Sequence, residues 1–249
     1  PRSTLSSSSA ASDVYKRQLI GVEMALALFD LDNTLIAGDS DHSWGQFLVD
    51  GGHVNKVFYK EQNDKFLSDY VAGKLNIYEY LKFSLEFLSE TPFAKLIKLR
   101  NEFITNVIES MHLPKAKALL ETHRDAGDHL VIITSTNSFI VKPICCMLGV
   151  SDIISTDLVI SDGEFTGEVQ GIVPFREGKV IRLHSWLSKT NASLENSWFY
   201  SDSVNDIPLM QIVSKQVKLI DTMKNKTIGP SEVIEKFGVT PEYLSLIHI

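Results

Sequence analysis

Three short apolar runs in this sequence each end in side chains that can do chemistry. Ala25 to Phe29 delivers Asp30-Leu31-Asp32-Asn33-Thr34. Leu130 to Ile133 delivers Thr134-Ser135-Thr136-Asn137, and Trp198 to Tyr200 delivers Ser201-Asp202. Apolar runs of this length read as buried strands. In open α/β sheets, ligands bind at the carboxyl ends of the strands. Asp30 and Asp32, Thr134 and Ser135, and Asp202 are therefore expected to converge on one crevice. Singly, each set has another explanation: paired aspartates after a strand make a turn or cap, and Thr-Ser-Thr can cap the helix that follows. Three sets at matching positions, with Lys179 between the second and the third, point instead to a charged, oxygen-rich site.

The elements that must hold these residues alternate. A helix is expected from Pro114 through Ala126-Gly127, another through Leu148-Gly149, and a hairpin around Asp162-Gly163, where Asp157 to Gly171 alternates. Arg176 to Leu187 and Ile207 to Val213 read as helices, and Val217 to Ile220 as a further strand. Strands alternating with helices imply an α/β fold, a doubly wound parallel sheet covered on both faces. From 44 to 110 the spacing is helical throughout, through Phe47, Leu48, Val57, Phe58, Phe66, Leu67, Tyr70, Ile77, Tyr80, Leu81 and onward to Ile108. This stretch is expected to be an inserted helical cap whose apolar stripes form core. Thr91-Pro92 is expected to start one of its helices, with Thr91 as N-cap and Pro92 at the first helical position.

D-L-D-N-T-L, I-T-S-T-N, Lys179 in E-G-K, and S-D-S-V-N-D, in that order, resemble the four motifs of the haloacid dehalogenase superfamily, phosphatase branch. The match runs from 24 to 220. The helical insertion and the stretches DGEFTGEV and FREGKV resemble its phosphoserine phosphatase-like group. The resemblance implies a Mg2+-dependent phosphomonoester hydrolase acting on a small phosphorylated metabolite; the cytoplasm is the expected compartment because the two cysteines fit no disulfide. Asp30 would be the nucleophile and Asp32 the acid and base. Asp30, the backbone carbonyl of Asp32, and Asp202 would hold the metal, with Asp206 holding a metal-bound water or bracing Lys179. Thr134, Ser135 and Asn205 would grip the phosphoryl oxygens, and Lys179 would neutralise charge on phosphate and nucleophile. These roles suit the chemistry. A carboxylate attacking a phosphate ester needs cations to screen both partners, and Mg2+ prefers oxygen ligands. Lys189 competes with Lys179 by residue type, but the E-G-K setting favours Lys179.

Substrate choice is expected in the loop Asp39-Ser40-Asp41-His42-Ser43-Trp44. Asp39 lies nine residues past Asp30, where the family carries an acid that contacts a substrate amine. Asp41 is the nearby alternative, and both also read as part of a helix N-cap. The loop resembles a histidinol-phosphatase-like subgroup. Thr-Ser-Thr-Asn in place of the usual Ser-Gly-Gly departs from phosphoserine phosphatases. An amine-bearing substrate such as histidinol phosphate or phosphoserine is expected. Two other readings share these motifs: a phosphotransferase, in which an acceptor alcohol replaces water, and a phosphorylatable receiver, which is shorter and lacks a helical insertion.

The 249 residues carry a formal net charge of -7 and are 44% hydrophobic. That size accommodates one large domain with an insertion. An acidic chain without a long basic run is not built for nucleic acid or for anionic lipid. The two cysteines are adjacent, Cys145 and Cys146, fit no disulfide or metal spacing, and are expected to be buried helix thiols. Residues 1–18 and 244–249 look like translated sequencing adapters and are expected to lie outside the fold. The expected layout is then a catalytic core over 19–43 and 111–243, with the cap over 44–110 between its two segments.

Overall fold

The computed structural model describes residues 24–190, 192–220 and 247–248. Strand β1 (Leu26–Phe29) is followed by four helices, α1 (Ser40–Asp50), α2 (Lys56–Val71), α3 (Ile77–Glu90) and α4 (Phe93–Asn106), and a 3-10 turn at Ile108–Met111. Then come α5 (Pro114–Ala126), β2 (His129–Asn137), α6 (Ser138–Met147) and β3 (Asp152–Thr156). A hairpin of β4 (Leu158–Ser161) and β5 (Glu164–Val169) leads to α7 (Glu177–Thr190), β6 (Trp198–Ser201), α8 (Ile207–Met210) and β7 (Lys215–Ile220). The sheet order is β3-β2-β1-β6-β7, with a two-residue strand β8 (Ile247–His248) at the edge beside β7. Every pairing in this sheet is parallel. Residues 1–18 lie outside the described region; of the C-terminal tail expected to be foreign to the fold, Ile247–His248 pair with β7.

β1 is central: the chain passes from it to β2 and β3 on one side and then crosses to β6 and β7 on the other. Such a change of direction opens a crevice at the carboxyl ends of the strands. Register aligns the motifs there, since Phe29 sits beside both Ile132 and Tyr200. Alternation along β1 supplies both faces of the sheet. Ala27 and Phe29 enter one core cluster with Trp44, Leu85, Leu88, Leu96 and Phe103 of the inserted helices. Leu26 and Leu28 enter the other with Leu183, Phe199 and Leu209. The inserted helices α1, α3 and α4 therefore share a continuous core with one face of the sheet.

Several expectations change. The helical segment begins at Ser40, four residues earlier than expected, because Asp39 caps α1 by accepting from the N–H groups of Asp41 and His42. Thr91 ends α3 instead of starting α4. Pro92 occupies the N-cap position without a side-chain bond, and the Phe93 N–H is satisfied by Glu164 Oε2 of the hairpin at 2.6 Å. β2 runs on through Thr134 to Asn137, which pairs with Thr156. Val57 and Phe58 are exposed, since α2 turns Tyr59, Asn63 and Phe66 inward instead. Cys145 is buried but Cys146 is exposed. Among the described residues no helix is long and apolar enough to cross a membrane.

Candidate active site

Asp30 stands at the end of β1, its N–H bonded to Tyr200 O of β6 at 2.9 Å. Its carboxylate accepts from Lys179 Nζ at 2.8 Å, and the same ammonium lies 2.8 Å from Asp206. Lys179 comes from the first turn of α7 and is buried. Gly178 lets that turn approach: a methyl there would collide with the Val173 carbonyl oxygen. Lys189, at the exposed far end of α7, plays no part in the cluster.

The two motif loops are tied together by Thr34. Its hydroxyl accepts from the Asp202 N–H at 3.2 Å and lies 3.4 Å from Asp202 Oδ1. Asp206 is braced by Lys179 and by Ser201 Oγ, which donates to it at 2.7 Å. Asp32 is held at both oxygens: Ser40 N–H donates to Oδ1 at 2.6 Å and Thr136 Oγ1 to Oδ2 at 2.9 Å. Thr134 Oγ1 lies 3.5 Å from the same Oδ2.

In front of Asp30 and Asp32 opens a cavity of about 540 Å³, its mouth included. Thr134, Ser135 and Thr136 form part of its floor, and Asp39, Asp41 and His42 one wall. The opposite wall comes from α2 and α3, with Phe66, Leu67, Tyr70, Ile77 and Tyr80. These residues read as core stripe in the sequence, but here they shape the cavity. Lys179, Asp202 and Asp206 are not among its lining residues. Asn205, expected to grip phosphate, does not line the cavity and is bonded to its neighbours. Its Oδ1 accepts from Arg176 Nε at 3.1 Å, and its Nδ2 donates to Tyr70 O at 3.2 Å.

Buried carboxylates dominate the electrostatics. Burial pushes Asp30 up, followed by repulsion from Asp206, Asp202 and Asp32, with Lys179 opposing. Asp202 is pushed up to about 7, first by burial and then by Asp206. Asp32 rises to about 6 through burial and the Asp39 charge, restrained by bonds from Ser40 and Thr136. Burial alone would lower Lys179, but Asp206 and Asp30 outweigh it and hold the ammonium charged. Four carboxylates thus face one ammonium. Their hard oxygens and surplus charge fit a divalent cation of the Mg2+ type. The donors available are two side chains, Asp30 and Asp202, plus main chain. Among the described residues no three His, Cys, Asp or Glu side chains converge as a metal cluster.

Thr136 and Arg176 also escaped the sequence reading. Thr136 reaches Asp32 and Arg176 reaches Asn205. Thr136 lay in a flagged segment, but its partner is 104 positions away. No local pattern could assign that contact.

The family model for haloacid dehalogenase-like hydrolases matches residues 27–211. A histidinol-phosphatase from Neisseria meningitidis serogroup C (strain 8013) is 42% identical over 196 residues, covering 77% of this chain and 88% of the relative. A crystal structure of a protein of unknown function from Bordetella pertussis Tohama I superposes with a TM-score of 0.78 at 34% identity. It covers 91% of this chain and 99% of that one. A phosphoserine phosphatase, solved as a phospho-aspartyl intermediate analogue, shares the fold at a TM-score of 0.61 and 21% identity, covering 79% of this chain and 87% of that one. With its motif residues gathered at one sheet end and its match running from the first strand to the last motif, the chain belongs to the haloacid dehalogenase-like hydrolase family, and its named relatives are phosphatases.

Proposed function

We propose that this chain is a Mg2+-dependent phosphomonoester hydrolase that works through an aspartyl-phosphate on Asp30. Its substrate is a small amine-bearing metabolite, with histidinol phosphate ahead of phosphoserine. The observation that carries the reading is the contact between Lys179 Nζ and Asp30 Oδ1 at 2.8 Å, with Asp30 and Asp32 both lining the cavity.

Asp30 Oδ attacks phosphorus while the bond from phosphorus to the leaving oxygen breaks. Asp32 gives its proton to that oxygen, and the alcohol departs. The ionised Asp32 then takes a proton from water, whose oxygen attacks the aspartyl-phosphate. Inorganic phosphate leaves and Asp30 is restored. Thr134 Oγ1 and the Ser135 N–H suit the phosphoryl oxygens, and Lys179 offsets the charge Asp30 carries. Mg2+, when bound by Asp30, Asp202 and the Asp32 carbonyl, would supply charge neutralisation for the incoming phosphate.

The acidic wall supports an amine-bearing leaving group. Asp39 Oδ1 is committed to capping α1, whereas Asp41 makes no cap bond and is buried beside Tyr80 and Asn137. The 42% identity to a histidinol-phosphatase supports the imidazole-bearing candidate.

Phosphate release over a panel of phosphorylated metabolites tests the reading. Amine-bearing esters should lead the panel, chelation should abolish turnover, and Mg2+ should restore it. Asp30→Asn should fold and lose about 10³-fold or more in kcat; near-normal turnover by that variant would sink the mechanism.

A further inference from the structure

Asp32 is bonded from two sides of the crevice, and one side is unusual in origin. The Ser40 N–H reaches Oδ1 from the start of α1, and the Thr136 hydroxyl reaches Oδ2 from β2. Thr136 is buried, and its own N–H is tied to Thr134 Oγ1 at 3.2 Å. The hydroxyl therefore points at Asp32 from a fixed strand. The last torsion of an aspartate is broad, so a single bond leaves the carboxyl free to swing. Bonds at opposite oxygens remove that freedom. Each carboxyl oxygen has two acceptor sites, so the clamp leaves one on each oxygen; with Thr134 Oγ1 3.5 Å from Oδ2, the unencumbered site for proton transfer is on Oδ1.

We propose that Thr136 is a positioning residue for the proton transfer, fixing the Asp32 carboxyl so that it meets the leaving-group oxygen. The inference rests on the reading of Asp32 as the acid. No chemistry passes through Thr136 itself: its proton stays on its oxygen, while the transferred proton moves from Asp32 to the departing oxygen.

Leaving groups of different basicity separate this role from a structural one. An alkoxide needs the proton as it departs; 4-nitrophenolate does not. The quantity to compare is kcat/KM, which covers steps through release of the alcohol. Thr136→Val keeps the shape and deletes the hydroxyl. We expect it to lower kcat/KM for an alkyl phosphate by about 10- to 100-fold, and for 4-nitrophenyl phosphate by about tenfold less. Thr136→Ser should recover the alkyl rate to within about threefold of wild type. Equal losses on both esters, or a serine variant as impaired as the valine one, would overturn the proposal. Circular dichroism reports whether the valine variant folds; if it does not, Thr136→Ala gives the same comparison. A wild-type protein that hydrolyses neither these two esters nor an amine-bearing phosphate ester would overturn the reading of Asp32 as the acid as well. If Asp30→Asn abolishes turnover while Thr136→Val loses equally on both esters, only the positioning role falls.

Discussion

Asp41 is a carboxylate placed where ionisation is costly. Asn137 Nδ2 lies 3.3 Å from it, and its charged neighbours Asp39 and Asp32 repel it. Burial first, and Asp39 second, push it up to about 7, with a hydrogen bond from Tyr80 pulling the other way. Tyr59 lies close enough to feel its charge, and burial keeps Tyr59 and Tyr80 neutral. The sign follows directly. Below about 7 the group is protonated and offers a substrate amine no charge; above it the carboxylate attracts one. An amine-bearing ester should therefore show a falling KM between pH 6 and 8, whereas a neutral ester of similar size should not. Asp41→Asn should flatten that difference and raise KM for the amine-bearing ester by about tenfold at pH 8, a typical value for losing one charge-assisted contact. Equal changes for the neutral ester would remove Asp41 from substrate recognition. Asp39→Ala is a poorer probe, because losing the cap costs about 1 kcal/mol by itself.

At the level of elements, the end of α2 is fastened to the loop after β6. Tyr70 OH bonds Ser203 Oγ at 3.1 Å, Asn205 Nδ2 bonds Tyr70 O, and Arg176 bonds both Asn205 Oδ1 and the Gly73 carbonyl. The fastening joins one wall of the cavity to the segment carrying Asp202 and Asp206. Arg176→Met should speed amide hydrogen exchange over residues 68–74 while leaving the central strands unchanged, and unchanged exchange at 68–74 would show the arginine to be dispensable there. This contact also marks how far the sequence could be read. The strand ends were legible because an apolar run followed by acids is a local signal, and Gly178 before Lys179 answers to a local approach to Val173. The bonds that Asn205 makes to Tyr70 and Arg176 had no local signal, since these partners lie 135 and 29 positions away. Thr91 failed as a cap for the same reason: Glu164, 71 positions on, bonds the Phe93 N–H. The period of α2 gave a helix but not its inward face, so Val57 and Phe58 were placed in the core when Tyr59, Asn63 and Phe66 are the buried set.

For the molecule as a whole, the site is a source of instability that its function requires. Five of its acids are raised above the ordinary aspartate value of 3.8, Asp32 to about 6, Asp41 and Asp202 to about 7, and Asp30 and Asp39 in the same direction, each by burial first. The folded protein therefore binds more protons than the unfolded chain between about pH 4 and 7. For these groups, the stability gained by protonation is fully present below the unfolded pKa and is lost as pH rises through 6 and 7. The metal-free protein should melt at a lower temperature at pH 8 than at pH 5. A cation bound only by the native state offsets that loss by mass action, so Mg2+ should raise the melting temperature more at pH 8 than at pH 5. Asp202→Asn removes one repelling charge without removing volume. It should raise the metal-free melting temperature at pH 8, by about 2–4 °C for each kcal/mol of repulsion relieved, and blunt the response to Mg2+. Differential scanning calorimetry with and without chelator reads all of these quantities. A variant that melts lower than wild type at pH 8 without metal would mean that the contact of Thr34 Oγ1 with the Asp202 carboxylate stabilises the fold by more than the buried charge destabilises it.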